Sequence, residues 1–219
     1  MRVLLVAPRS NLLEVEAEIE DVMRSGLTVD PLIGNVTRTA LLRRMREHDY
    51  DVLWLATHGS ADGVQLSDGI LSASALVQQV RDRFTLVVLN SCSSLSIAQL
   101  LQEEANTGVI CTLIDVPDVQ AYQTGSRLSS ALAESSTVVE AYLASKPGGN
   151  RSYLYLPALS ASQDSIDTLI AALNELKAEM VKDRVGAAKD RRLARWLITV
   201  SVALHPVTWL VWYAVGRLG

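Results

Sequence analysis

Continuous apolar runs alternate with amphipathic stretches over roughly the first 160 residues of the chain. Apolar runs rich in Val, Leu and Ile predict six strands, at residues 2–7, 27–33, 51–57, 85–90, 108–114 and 153–156. Apolar residues at helical spacing predict six helices between them, at 12–24, 37–47, 72–83, 94–104, 119–133 and 138–145. Because the strands are apolar throughout rather than alternating, both faces of the sheet should be covered by helices. The pattern therefore predicts an α/β fold, a three-layer sandwich around an open, mostly parallel sheet.

Several polar and small residues mark where these elements end. Gly26 follows the first helix as a candidate C-cap, and Thr37 stands where it can cap the second. Pro31 lies inside the second strand, which should therefore be a bent strand or an edge strand. Residues 62–69 resemble a hairpin or a turn between the third strand and the third helix.

The end of the chain differs in composition from the body. Residues 161–195 predict a charged helical linker, and residues 196–215 form a run of twenty without Lys, Arg, Asp or Glu. A helix of this length spans about 30 Å, the thickness of a bilayer core, and tryptophans stand near both of its ends. Six basic residues precede it within 182–195 and only Arg217 follows, which predicts a single-pass segment with the body in the cytoplasm. A buried or oligomerising hydrophobic helix is the alternative, since His205 and Pro206 lie at mid-span.

Charge and cysteine content narrow the class of protein. Residues 1–181 carry 13 basic and 22 acidic side chains, so nucleic acid is not an expected partner. The apolar run at the N-terminus is too short for a signal peptide, and two cysteines do not indicate a disulfide framework. These features are typical of a reducing cytosol.

Candidate chemistry is concentrated where the predicted strands end, because ligands of open α/β sheets bind at that edge. The first strand ends in Ala-Pro-Arg-Ser-Asn, residues 7–11, and no glycine-rich phosphate loop is present. His58 and Gly59 follow the third strand, and Cys92 follows the fourth, where a neighbouring helix N-terminus favours a thiolate. Taken singly, a strand-end cysteine is more often structural and a His-Gly pair is as often a turn. If the two strands are neighbours, however, His58 and Cys92 face one crevice, and their residue types are those of Cys–His nucleophilic catalysis. The backbone N–H groups of Gly59 and Cys92 would then flank a developing oxyanion.

The remaining histidines and cysteine are weaker candidates. His48 lies before its strand, His205 lies in the hydrophobic C-terminal run, and Cys111 lies inside an apolar strand and is expected in the core. Two cysteines and one usable histidine cannot complete a structural zinc site, so neither a metal nor a cofactor is expected.

The ordered motifs resemble the caspase-like clan of cysteine peptidases, and within it the CHAT domains of bacteria. The stretches that carry the resemblance are DVLWLATHGS, GVQLSDGILSASAL, TLVVLNSCSS and VICTLIDVPDVQAYQTGSRLSSALAESSTVVEAYLAS. The resemblance covers residues 1–160 and implies a caspase-like sheet, with His58 as proton carrier and Cys92 as nucleophile. It also implies an oxyanion hole of the Gly59 and Cys92 amides. The sequence departs from many relatives around Cys92, where it has Asn-Ser-Cys-Ser-Ser.

These observations predict three parts: a peptidase domain at 1–160, a linker at 161–195 and a transmembrane helix at 196–215. The expected function is that of a caspase-like cysteine endopeptidase on the cytoplasmic face of the inner membrane, cleaving a protein or peptide substrate. A sensor or regulatory protein partner in a bacterial defence system would switch it. Asp115 is the candidate for binding a basic substrate side chain, whereas Asp118 is expected to cap the helix that follows it. The alternatives are a catalytically inactive membrane adaptor of the same fold and a small-ligand receiver domain of flavodoxin-like shape.

Overall fold

The structure, a computed structural model, describes residues 1–11, 13–60, 62–135, 137–145 and 152–160, with positions 167, 170, 171 and 174. Met1–Ile170 form one compact unit. Within the described residues the unit holds nine strands and six helices. The strands are β1 (Arg2–Pro8), β2 (Thr28–Gly34), β3 (Val52–Ala56), β4 (Gly59–Ser60), β5 (Gly63–Leu66), β6 (Gly69–Ser72), β7 (Leu86–Asn90), β8 (Gly108–Thr112) and β9 (Tyr153–Leu156). The helices are α1 (Val15–Arg24), α2 (Arg38–Glu47), α3 (Ala73–Val80), α4 (Leu95–Ala105), α5 (Asp118–Glu134) and α6 (Val138–Ser145).

The main sheet has six strands in the order β2-β1-β3-β7-β8-β9. The first five run parallel and β9 runs antiparallel to β8, so the prediction of a mostly parallel sheet is confirmed. Strands β3 and β7 are direct neighbours, and Ala56 pairs with Asn90 at their carboxyl ends. This pairing places the two segments that follow at the same edge of the sheet.

The core lies on both sides of the central strands. Every residue of β3, β7 and β8 is buried, as expected for strands covered on both faces. Helix α5 packs against α1 and α6, while α3 packs against α4. The α/β class predicted from the apolar runs is confirmed.

Local sequence signals account for several boundaries. Gly26, just beyond α1, has φ +94°, a left-handed value that favours glycine at a helix C-terminus. The Thr37 hydroxyl accepts a hydrogen bond from the Ala40 N–H at 3.2 Å, which confirms the predicted cap of α2. Strand β2, with Pro31, lies at the edge of the sheet as predicted.

The hairpin predicted at residues 62–69 is part of a second sheet of three antiparallel strands in the order β4-β5-β6. Asp68, in the turn between β5 and β6, accepts hydrogen bonds from the Arg38 N–H at the start of α2. The backbone N–H of Ser67 donates to the Val36 carbonyl at 2.8 Å. These bonds fix the small sheet against the loop that follows β2.

The predicted linker and transmembrane helix lie almost wholly outside the described residues, and the division at 160, 195 and 215 stays a prediction. Among the helices that the structure does describe, none has the length and apolar character needed to cross a bilayer.

Candidate active site

His58 lies two residues beyond the end of β3 and is half-buried. Its backbone is fixed by the small sheet, because the His58 carbonyl accepts a hydrogen bond from the Gln65 N–H at 2.9 Å. Thr57 adds a second bond, from its hydroxyl to the Gln65 carbonyl at 2.8 Å. The imidazole itself contacts a different loop, since His58 Nε2 lies 2.7 Å from Asn11 Oδ1 between β1 and α1.

Cys92 lies two residues beyond the end of β7 and is also half-buried. Its Sγ faces the carbonyl oxygen of Val116, in the loop between β8 and α5, at 3.8 Å. The next residue, Ser93, has φ +48°, so the chain turns sharply immediately after the cysteine. Helix α4 then begins at Leu95, which places the thiol three residues before the first helical position rather than in the first turn.

The segments after β3 and β7 are in direct contact at Gly59. A Cβ atom on Gly59 would lie 2.6 Å from Ser91 Oγ and 3.1 Å from the Cys92 carbonyl oxygen. Only glycine permits this approach, so the close backbone approach expected at Gly59 is present. The structure therefore brings His58 and Cys92 to adjacent strand ends whose following segments touch, although the described residues contain no hydrogen bond between the imidazole and the thiol.

Ser91, the residue before the cysteine, carries a buried hydroxyl. Its side chain is 4 % exposed, and Ser91 Oγ has no hydrogen-bond partner within the part of the chain that the structure describes. The Ser91 carbonyl, by contrast, accepts a bond from the hydroxyl of Thr112 on β8. The Thr112 side chain also lies 3.1 Å from Ser94 Oγ, so β8 supports the turn on both sides of Cys92.

Asp115 lies in the loop between β8 and α5, close to the residue that follows Cys92. Its carboxylate is exposed and accepts a hydrogen bond from Ser93 Oγ at 2.7 Å. The sequence placed Asp115 near the crevice, and the structure brings it against the residue that follows Cys92. An exposed carboxylate in this position can bind a cationic side chain.

Asp118 has a different role from the one predicted. The N-cap position of α5 is Pro117, and Asp118 is the first helical residue. Asp118 Oδ2 accepts hydrogen bonds from the Leu13 N–H at 2.6 Å and the Glu14 N–H at 3.1 Å. The expectation that Asp118 is the N-cap of its own helix is wrong, because it lies inside the first turn and its Oδ2 atom satisfies free N–H groups at the start of α1. The loop that supplies Asn11 is thereby tied to the helix that follows the Asp115 loop.

A buried polar cluster surrounds the end of β7, the strand that precedes Cys92. Trp54 Nε1 on β3 donates to Glu18 Oε1 at 2.8 Å, and the side chain of Asn90 on β7 bonds to the same carboxyl group. Asn90 Nδ2 also donates to the Ala121 carbonyl at 3.1 Å, and Asn90 Oδ1 accepts from the hydroxyl of Tyr153. The last residue of β7 is thus held from α1, α5 and β9 together.

Glu18 lies on the buried side of α1, unlike the other two glutamates of that helix. Glu16 and Glu20 are exposed, but Glu18 is only 4 % exposed. Burial raises the pKa of Glu18 from the ordinary 4.5 to about 7, opposed by the bonds from Asn90 and Trp54 and aided by the charge of Asp118. The alternating acidic pattern of the helix gave no sign that one carboxyl group turns inward.

Cys111 and His48 lie where the sequence put them, and His205 is not tested. Cys111 on β8 is fully buried, and burial raises the pKa of its thiol well above the ordinary range. His48 follows α2 at the opposite edge of the sheet, and His205 lies outside the described residues. Within the residues that the structure describes, no three His, Cys, Asp or Glu side chains converge as a metal site would require.

The fold and this strand-end arrangement define an α/β protein with a histidine and a cysteine just beyond the ends of two neighbouring parallel strands. The CHAT domain profile matches residues 5–141, more than half of the chain, and the chain belongs to this family. None of the curated proteins compared with the chain matches it. Among solved structures the chain is similar to the pyridoxal kinase from Staphylococcus aureus in complex with pyridoxal. The two chains are 12% identical, and the match covers 66% of this chain and 84% of the kinase chain with a TM-score of 0.38. A likeness this slight does not bear on function.

Proposed function

We propose that the chain is a caspase-like cysteine endopeptidase with a catalytic pair formed by His58 and Cys92. The observation that carries the proposal is the contact of Gly59 with Ser91 and the Cys92 carbonyl, across the ends of the paired strands β3 and β7. This contact supports the proposal because it joins the segments that carry His58 and Cys92 at the carboxyl edge of the sheet, where open α/β sheets bind ligands. Membership of the CHAT domain family supports the same assignment.

In the proposed reaction, His58 takes the thiol proton and the Cys92 thiolate attacks the carbonyl carbon of a peptide bond. The backbone N–H groups of Gly59 and Cys92 stabilise the negative oxygen of the tetrahedral intermediate. His58 returns the proton to the departing amine, which leaves a thioester on Cys92. Water then hydrolyses the thioester and restores the thiol.

The resting arrangement supports a peptidase that needs activation. The Cys92 thiol lies 3.8 Å from the Val116 carbonyl oxygen in the loop between β8 and α5, and a movement of this loop would release the thiol for proton transfer to His58. A regulatory protein partner, plausible for a bacterial defence system, would supply that movement. This part of the proposal rests on the geometry of the loop and on the resemblance.

Substrate choice is assigned to Asp115. Its exposed carboxylate, bonded to the hydroxyl of Ser93, is placed to accept the charge of a Lys or Arg side chain beside the nucleophile. Peptides with a basic residue before the scissile bond are therefore the proposed substrate class.

The proposal also includes a membrane anchor at residues 196–215, with the peptidase domain on the cytoplasmic side. Its support is the run of twenty uncharged residues with flanking tryptophans and preceding basic residues. Deletion of residues 191–219 should release the protein from the membrane fraction; a full-length protein that stays in the supernatant would refute the anchor.

The catalytic proposal is tested by the alkylation of purified full-length protein with iodoacetamide at pH 7, with mass spectrometry reporting the modified cysteine. We expect Cys92 to react faster than free cysteine and His58→Gln to slow it, while the control His48→Gln, at the opposite edge of the sheet, leaves the rate unchanged. Peptides with Lys or Arg before the scissile bond should be cleaved by the parent protein and not by Cys92→Ala. If Cys92 reacts no faster than free cysteine and no peptide is cleaved with a candidate partner present, the chain is an inactive adaptor of the same fold.

A further inference from the structure

The imidazole of His58 has one described hydrogen bond to a side chain, and that bond comes from outside the predicted catalytic pair. His58 Nε2 lies 2.7 Å from Asn11 Oδ1. With the amide oxygen of Asn11 facing the ring, which can accept a hydrogen bond but not donate one, the contact assigns the ring proton to Nε2. In the neutral imidazole the lone pair then lies on Nδ1.

We propose that Asn11 is the positioning residue of this site, which fixes His58 in the Nε2–H tautomer and leaves Nδ1 to exchange a proton with Cys92. The inference rests on the proposed peptidase function for its consequence, but the tautomer itself follows from the contact. Without such a partner the ring can rotate about its side-chain bonds, and either nitrogen can hold the proton.

The loop that carries Asn11 is fixed at both of its ends. On one side the Arg9 N–H donates to the Gly34 carbonyl at 2.7 Å. On the other side the N–H groups of Leu13 and Glu14 donate to the Asp118 carboxylate. The segment that carries the Asn11 amide is therefore short and is held by β2 and α5. A side chain that orients another needs a backbone fixed in this way.

The choice of an amide has a chemical consequence. Asn11 orients the ring without adding a negative charge, so it does not by itself favour the imidazolium over the neutral imidazole. An aspartate at the same position would keep the acceptor oxygen and add a charge-assisted bond. The two side chains are nearly equal in size, so Asn11→Asp separates orientation from charge.

The experiment compares the parent with Asn11→Ala and Asn11→Asp, and uses Asn35→Ala as the control at an exposed asparagine in the loop between β2 and α2. In full-length protein labelled with ¹⁵N at histidine, proton–nitrogen correlation spectra report which ring nitrogen is protonated, and His58→Gln assigns the signal. We expect the Nε2–H pattern in the parent, in Asn11→Asp and in Asn35→Ala, and a mixture of both tautomers in Asn11→Ala.

Alkylation of Cys92 over pH 6 to 9 gives the second measurement. Asn11→Ala should lower the rate at neutral pH about tenfold, a part of the 10²–10⁴-fold that general base catalysis contributes, and Asn11→Asp should restore it. The proposal is overturned if the His58 spectrum of Asn11→Ala equals that of the parent, or if the spectrum changes while the alkylation rate holds at its parental value. A Cys92 that is unreactive in the parent as well, with the Nε2–H spectrum intact, would instead remove the peptidase function and leave the tautomer assignment standing.

Discussion

Glu18 makes the stability of the fold depend on pH in a direction that can be worked out. Its carboxyl group has a pKa of about 7 in the folded protein, raised mainly by burial, against the ordinary 4.5 expected in the unfolded chain. Below pH 4.5 both states are protonated. Between 4.5 and 7 the folded state binds the proton that the unfolded state has released, so the free energy of unfolding decreases as pH rises. Above pH 7 the carboxyl group is ionised in both states, and the folded protein carries the full free-energy cost of burying the charge.

The size of this effect follows from the gap between the two pKa values. The pKa of Glu18 is higher in the folded than in the unfolded state by roughly 2.5 pH units, and each pH unit corresponds to about 1.4 kcal/mol. The free energy of unfolding should therefore fall by about 3 kcal/mol between pH 4.5 and 8. Glu18→Gln removes the titration and keeps an oxygen that can accept from Trp54 Nε1. Any constant offset caused by the new amide group does not change the slope with pH.

Urea unfolding of the parent and of Glu18→Gln at pH 5, 6, 7 and 8 measures the slope. The variant should gain about 2–3 kcal/mol relative to the parent across this range, since all other titrating groups are common to both proteins. Glu16→Gln, an exposed position on the same helix, is the matched control and should run parallel to the parent. A difference between Glu18→Gln and the parent that stays constant within about 0.5 kcal/mol would refute the reasoning, because Glu18 would then be ionised throughout or solvated.

Three further substitutions test the contacts around the strand ends. Gly59→Ala puts a Cβ atom 2.6 Å from Ser91 Oγ, so urea unfolding should show a destabilisation of about 1–3 kcal/mol. The alkylation of Cys92 should also slow down, and an unchanged alkylation rate would contradict the close approach. Ser91→Ala removes a buried hydroxyl that has no partner in the described part of the chain, and thermal unfolding should show equal or higher stability, by about 1 kcal/mol; a clear loss would reveal a hidden partner. Asp118→Ala frees the N–H groups at the start of α1 and should cost about 1–2 kcal/mol, with faster amide hydrogen exchange at Leu13; unchanged exchange would count against the bond.

The backbone elements were largely predictable because their signals are local. Apolar runs located the six strands of the main sheet, and Pro31 and Gly26 marked an edge strand and a helix end through restrictions on their own dihedral angles. The strand β4 was missed, since Gly59 and Ser60 carry no apolar pattern and pair only because β5 folds back onto them. The sequence put His58 and Cys92 at strand ends, whereas their adjoining position depends on the pairing of β3 with β7, which the sequence left as a condition.

The side chains that support the site were not predictable from the same signals. Glu18 differs from its exposed neighbour Glu16 only in the direction it takes on the helix, and its partners Trp54 and Asn90 lie 36 and 72 residues away in the chain. Asn11 was visible as a polar residue after the first strand, but nothing in its vicinity indicates a partner 47 residues further on. Contacts of this kind depend on how loops approach one another in the folded chain.

The loop between β8 and α5 connects the two halves of the proposed catalytic pair. Its Val116 carbonyl receives the Cys92 thiol, while Asp118 at its end holds the N-terminal turn of α1. The loop before that turn contains Asn11, whose amide oxygen contacts His58. If the loop moved, these contacts would transmit the change to the thiol directly and to the imidazole through the loop before α1. On the proposed function, a partner or substrate that binds at the exposed Asp115 would act on both His58 and Cys92, whereas one that binds at the small sheet would act on His58 through its backbone.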